Sequence, residues 1–197
     1  MKNCVICGNQ FETTDGRVKI CSDECRSKYV ECYKLKKCEE KNITLLHFFE
    51  DELLKKYDII ESMIKSKLGV INNKILVNEC TIKEIDAKTA FEFLKNNHIL
   101  GNVNASIKLG LYYNNELVSI MTFGRLRNVL GNKGKNNNDD YEMLRFCDKL
   151  NTIIVGSASK LYSFFKLKYK PFNVIGFANR RYSNGNLYIQ LGFNLKY

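Results

Sequence analysis

At 197 residues, with 45% hydrophobic residues and a formal net charge of +10, the chain is long enough for one ordinary domain plus a small appendage. No run approaches the roughly 18–20 apolar residues of a membrane-spanning helix, and the start MKNCVICGNQ lacks the apolar core of a secretory signal, so a soluble cytoplasmic chain with reduced cysteines is expected. The charge is one-sided: Asp148 is the last acidic residue and eight Lys and Arg follow it, which suggests a polyanionic partner, DNA first, with RNA left open.

The stretch to about residue 38 is polar, cysteine-rich and too small to build an apolar core unaided. Cys4 and Cys7, in C-x2-C-G, place two thiolates on one tight turn that Gly8 can supply. Cys21 and Cys25, in C-S-D-E-C, put a second pair on the first turn of a helix. Four thiolates make a closed tetrahedral site with no open position for water, which implies structural Zn²⁺. The flanking Asn3, Asn9, Ser22 and Asp23 argue against thiols packed as small hydrophobes. Cys32 or Cys38 replaces Cys25 only in a different register, and both read more simply as ordinary helix residues. Cys80 and Cys147 lie in apolar strand patterns and read as core thiols.

Residues 43–49 read as a strand. From Glu50 the apolar Leu53, Leu54, Ile59, Ile60, Met63, Ile64 and Leu68 form a helical stripe that Gly69 stops. A strand over 81–85 follows, then a helix capped by Asp86 with Ala90, Phe91 and Leu94 on its buried face. IKLGLYY and ELVSIMTFG read as a hairpin turned by Asn114-Asn115, since Asn tolerates positive φ. RLRNVLGNKGKNNNDD is too poor in apolar residues to pack and reads as a mobile loop. The strand YEMLRFC, the helix GSASKLYSFFKLKY closed by Pro171, the strand NVIGFAN, the turn RRYSNG, the short helix NLYIQLG and a last strand FNLKY complete the chain. The predicted fold class is mixed α/β.

In the basic part, Arg180 and Arg181 followed by Tyr182 suit a phosphate clasp with a stacking ring, as for single strands or flipped bases. Arg125, Arg127, Lys133 and Lys135 add phosphate contacts from the loop, or form a solvated basic loop. His47, Glu50, Asp51 and Glu52 are of the right types for a two-metal nuclease, and acids at a helix start explain the same run.

KKCEEKNITLLHFFEDELLKK with IIESMIKSKLG resembles the closing strand and helix of the Vsr-like nuclease domain in phage homing-endonuclease-like proteins. FLKNNHILG, LGLYYNNELVSIMTFG, YEMLRFCDKLNT, GSASKL and GNLYIQLGF resemble the domain appended to it. The metal-binding segment of that nuclease, acidic-x-Asn-Gly-x-x-x-His, is not present, so the resemblance implies a nuclease remnant. It also implies a phage-encoded protein acting in the host cytoplasm.

The order hairpin, strand, phosphate-type turn with helix, strand, short Tyr helix ending in Gly-Phe resembles the GNAT acyltransferases and the related Mom DNA-modification proteins. Taken with the cysteine motif and the nuclease resemblance, this second resemblance gives three expected parts: a zinc knuckle of the treble-clef kind over 1–38, a connector over 39–70 resembling the end of a Vsr-like nuclease, and a GNAT/Mom-like α/β domain over 71–197. It implies an acyl-CoA or related donor held by the amides of Gly156, Ser157, Ala158 and Ser159. Tyr188 would protonate the departing thiolate, or else packs its ring and hydrogen-bonds at the rim; Glu142 and His98 are candidate general bases by residue type, or else an exposed strand acid and a helix-end histidine. The implied function is transfer of an acyl-type group to a DNA base. The alternatives are a non-catalytic zinc-dependent nucleic-acid-binding accessory protein and a residual Vsr-like endonuclease.

Overall fold

The computed structural model describes residues 1–4, 7–14, 17–126 and 139–195. The chain divides into two compact units, Met1–His47 and Phe48–Tyr197. The expected loop falls mostly on residues 127–138, which lie outside the described residues, as do Arg127, Lys133 and Lys135.

In the smaller unit, β1 (Lys2–Asn3) and β2 (Gln10–Phe11) pair antiparallel. The helix α1 (Asp23–Glu40) starts where the Ser22 hydroxyl accepts the Cys25 amide, with Asp23 and Glu24 in its first turn. Cap and acids both satisfy the electropositive helix start. The strand expected over 43–49 does not form: the segment has no ladder partner among the described residues.

In the larger unit, α2 (Glu50–Lys55) and α3 (Tyr57–Leu68) replace the single helix expected from Glu50. The break is Lys56, at φ −136° and ψ 34°, and Gly69 closes α3 at φ 70°. The chain continues through β3 (Lys74–Leu76), β4 (Thr81–Glu84), α4 (Ala87–Asn97), β5 (Ile107–Tyr113), β6 (Glu116–Arg125), β7 (Asp140–Asp148), β8 (Ile153–Val155), α5 (Ser157–Tyr169), β9 (Asn173–Gly176) and α6 (Asn186–Gln190). Asp86 caps α4 by accepting the Lys88 and Thr89 amides. Asn114 and Asn115, at φ 47° and 64°, turn the hairpin between β5 and β6, as the Asn pair predicts.

The main sheet has the order β4-β5-β6-β7-β9, antiparallel except for the last, parallel pair. One face buries Leu109, Leu111, Met121 and Phe123 against Leu161 and Phe165 of α5. The Phe123 and Phe165 rings stack with centroids 3.6 Å apart. The other face seats Ile120 against Ala90 and Leu94 of α4. Each such fully buried side chain contributes about 1.5–3 kcal/mol. Phe91, expected on the buried face of α4, stays 49% exposed. The stripe centres on Ala90 and Leu94, and Phe93, not Phe91, flanks it. Ile59 and Ile60 of α3 pack with Ile99, Phe48 and Tyr182.

Two further expectations are corrected. The strand expected over 173–179 ends at Gly176, because β9 pairs only with Asp140–Met143 of β7. The last strand is absent over 193–195: Gly192 turns the chain at φ 86°, and the Phe193 ring instead packs on Tyr162 and Tyr188. The parallel pair of β3 and β8 was not foreseen. The larger unit is therefore a mixed α/β domain.

Candidate functional site

The four predicted metal ligands come together. Cys4, Cys7, Cys21 and Cys25 bring their sulfurs within 4.8 Å of one another, with Cys7 to Cys21 at 3.5 Å and Cys21 to Cys25 at 3.7 Å. A tetrahedron built on bonds of about 2.3 Å has sulfur–sulfur edges of about 3.8 Å, so the cluster has the dimensions of a metal site; a disulfide would need about 2.05 Å. The Gly8 amide donates to Cys4 O while Gly8 itself sits at φ 76°, which closes the turn under the first pair. The neighbouring Cys7 thiol and burial push the Cys21 thiol up to about 12. The Cys21 thiol therefore keeps its proton until a cation replaces it. Cys38 lies 13 residues beyond Cys25 on α1, about 20 Å along the helix axis, and takes no part. The Cys32 side chain lies outside the described residues.

In the larger unit the site is built around β7. Thr122 of β6 pairs with Arg145 and Phe123 with Met143, so Leu144 is an extra residue, a β-bulge, of the kind that bends its strand and disrupts the ladder. On the other edge, β9 pairs only as far as Met143. The five residues from Leu144 to Asp148, about 16 Å of strand, thus have no strand partner on that edge among the described residues.

Glu142 and Tyr188 lie where this open edge begins. Glu142 is 6% exposed, opposite Gly124 and Ile175 in the ladders. Its neighbours Tyr141 and Met143 face the α5 core, so Glu142 points to the other side of the sheet. The Tyr188 ring lies against Gly176: a Cβ built there would stand 2.2 Å from Tyr188 Cε1. Its hydroxyl donates to Phe177 O at 3.0 Å. Burial raises the Tyr188 pKa, Arg145 lowers it, and the carboxylate of Glu142 is near enough to raise it further. The phenol is therefore protonated at neutral pH and is an acid, not a base.

At the far end of the edge, α5 begins. Gly156 takes φ 87°; it and Ser159 are exposed, while Ser157 and Ala158 are buried. The Ser157 hydroxyl donates to Asp148 Oδ2 at 3.3 Å, which ties the helix start to the end of β7. Burial raises the Asp148 carboxyl above the usual range. Lys160, the cation of the first turn, is occupied by Val77 O and Cys80 O, both at 2.7 Å.

His98, read either as a general base by residue type or as a helix-end histidine, closes α4. Its Nδ1 accepts the Leu100 amide at 3.1 Å, which assigns the remaining proton to Nε2. Burial, then the charges of Arg145 and Lys56, hold its pKa at about 4. Arg145 was missed. It leaves the bulge of β7 with Nε donating to Gly101 O at 3.2 Å and Nη1 to Leu144 O at 2.8 Å. The signal was available: YEMLRFC carries one cation within an apolar strand.

The expected phosphate clasp is not a symmetric pair. Arg181 spends both terminal guanidinium nitrogens on Glu52, at 2.7 and 2.9 Å, and lies over the Phe49 ring; Arg180 is exposed. The Tyr182 ring is stacked on Phe48 at 6.3 Å. Arg125 is exposed, lies over Tyr141 and reaches Asp139 at 3.6 Å. The run His47, Glu50, Asp51 and Glu52, read either as metal ligands or as acids at a helix start, gathers no ligand cluster: the four cysteines are the one such group among the described residues. Glu52 accepts the Phe49 amide as well as Arg181, so it serves the helix start.

Fold and site together define a mixed α/β domain, in a chain that also carries a four-cysteine cluster able to hold a metal ion. Among solved structures the chain is similar to a ribosomal-protein-alanine N-acetyltransferase from Brucella melitensis biovar Abortus 2308, at 16% identity and a TM-score of 0.45, over 60% of this chain and 94% of that one. No family model and no curated protein matches the chain. No helix among the described residues is long and apolar enough to cross a membrane.

Proposed function

We propose that this is a phage-encoded, homing-endonuclease-related protein whose GNAT/Mom-like domain transfers an acyl-type group from a thioester donor to an amino group of a DNA base, with Zn²⁺ bracing the cysteine module. The observation that carries the proposal is the open edge of β7, with Glu142 and Tyr188 at one end and the start of α5 at the other. Free strand-edge groups suit an extended amide-bearing donor, which they can hold as an added strand would be held. Gly156 and Ser159 are the exposed residues of the helix start that would face its phosphates. A bound thioester supplies the activated acyl carbon. Glu142 takes the proton that the acceptor amine loses, and Tyr188 gives one to the departing sulfur. The acid-free stretch after Asp148 supports a polyanionic acceptor.

Mass spectrometry of DNA from cells expressing the chain tests this reading. An added mass that disappears with Tyr188→Phe supports transfer; DNA of unchanged mass refutes it. The second reading, a non-catalytic accessory that binds nucleic acid, is favoured by one observation: the Asp148 carboxyl occupies the neighbourhood of the α5 start where a donor phosphate would lie. Unmodified DNA with intact binding would support it.

A further inference from the structure

Three hydrogen-bond donors in the larger unit lack acceptors, and they lie on neighbouring segments. Arg145 forms no ion pair among the described residues; its Nε and Nη1 reach only the carbonyls of Gly101 and Leu144, and its Nη2 has no acceptor. His98 uses Nδ1 to accept the Leu100 amide, so the Nε2 proton is unused. The Tyr182 hydroxyl accepts from Asn179 Nδ2 at 3.1 Å, and its own proton is unused. Arg145 Nη2 and His98 Nε2 are not among the fully buried unpartnered atoms, so solvent reaches both.

Contacts bring the three together. Arg145 holds Gly101, whose amide in turn donates to His98 O at 2.8 Å. Tyr182 packs in one cluster with Ile99. The charge of Arg145 is felt at His98 and Tyr188 next after burial, and at Tyr182 behind burial, Arg181, the Asn179 hydrogen bond and Glu52. A guanidinium with no carboxylate partner, with a phenol and an imidazole N–H on neighbouring segments, gains charge-assisted hydrogen bonds once an anion joins them.

We propose that Arg145, His98 and Tyr182 form an anion site that holds a phosphate of the acceptor nucleotide beside Tyr188. The donors come from three separate segments, β7, the turn after α4 and the turn after β9, which suits a tetrahedral oxyanion better than one planar carboxylate edge. The site rests on the nucleic-acid reading given above and deepens it, because it places the target nucleotide's backbone at the acidic phenol. It also gives Tyr182 a role in which its ring stays packed on Phe48 and only the hydroxyl meets the ligand.

The test is equilibrium binding to the full chain, followed by NMR or calorimetry, with inorganic phosphate, dAMP, dCMP, the matching deoxynucleosides and acetate as probes. Tighter binding of the monophosphates than of the nucleosides is expected, with a loss of about three-fold or more in Tyr182→Phe and about ten-fold or more in Arg145→Gln. Tyr182→Phe removes one oxygen and keeps the stacked ring, so it reports even if Arg145→Gln fails to fold. Monophosphates that bind no better than nucleosides, acetate that binds as well as phosphate, or a Tyr182→Phe protein with wild-type affinity would each overturn the site. No donor or transfer is involved, so monophosphate binding without DNA modification sinks the transfer reading alone, whereas modification with unaltered Tyr182→Phe binding sinks the site alone.

Discussion

Replacing Gly176 by alanine should strike the site without touching a polar group. The new Cβ would stand 2.2 Å from Tyr188 Cε1, 2.9 Å from Cδ1 and 3.1 Å from Cζ, against ordinary contact from 3.4 Å. The ring must retreat by about 1.2 Å, the gap between the shortest of these distances and ordinary contact. The hydroxyl, now 3.0 Å from Phe177 O, then loses its acceptor. Overpacking costs about 1–3 kcal/mol and a lost neutral hydrogen bond about 0.5–1.5 kcal/mol. Tyr188 is only half-buried and can yield outward, so about 2 kcal/mol is expected, or roughly 4–8 °C in the melting temperature of a unit this size. Gly124→Ala is the control: its Cβ meets Leu144 Cδ1 at 2.9 Å, the end of a flexible side chain, and should cost clearly less. Thermal melts by circular dichroism and the NMR shifts of the Tyr188 ring would measure both. A Gly176→Ala protein that melts with the wild type and leaves the ring signals in place would refute the packing of Tyr188 on β9.

Chelation, or Cys25→Ala, should release about one equivalent of zinc per chain and reduce the helical signal of α1, since a structural zinc site contributes on the order of 10 kcal/mol to folding; metal analysis with circular dichroism would check it, and a metal-free protein with full helicity would contradict it. His98 makes a pH prediction. Its pKa is about 4 in the fold and about 6.5 when unfolded, so between these values the unfolded chain binds the extra proton. Stability should then fall as pH drops from about 6.5 to 4, by up to about 3 kcal/mol. Urea titrations should show a shallower decline in His98→Gln, and an identical slope would remove His98 from that role.

What could be read from the sequence was local. Asn114-Asn115 and the Asp86 cap carry their conformations within four residues, and the cysteine spacing needs only a turn and a helix start. What could not be read depends on distant partners. Arg181 looked free because Glu52 lies 129 residues away, and β3 finds β8 across 79 residues, Lys74 pairing with Ile153. The strand NVIGFAN was drawn too long because its alternation says nothing about where β7 bulges and leaves it. Arg145 was legible as an oddity, a cation in an apolar strand, but its meaning required the turn at Gly101.

Amide hydrogen exchange across β7, with and without acetyl-CoA, tests most directly whether the open edge takes an extended thioester donor. Protection gained over 144–148 and at the start of α5, with 140–143 unchanged because β9 already pairs them, is the predicted result. Exchange over 144–148 that does not respond to saturating acetyl-CoA or other acyl-CoA donors would contradict it.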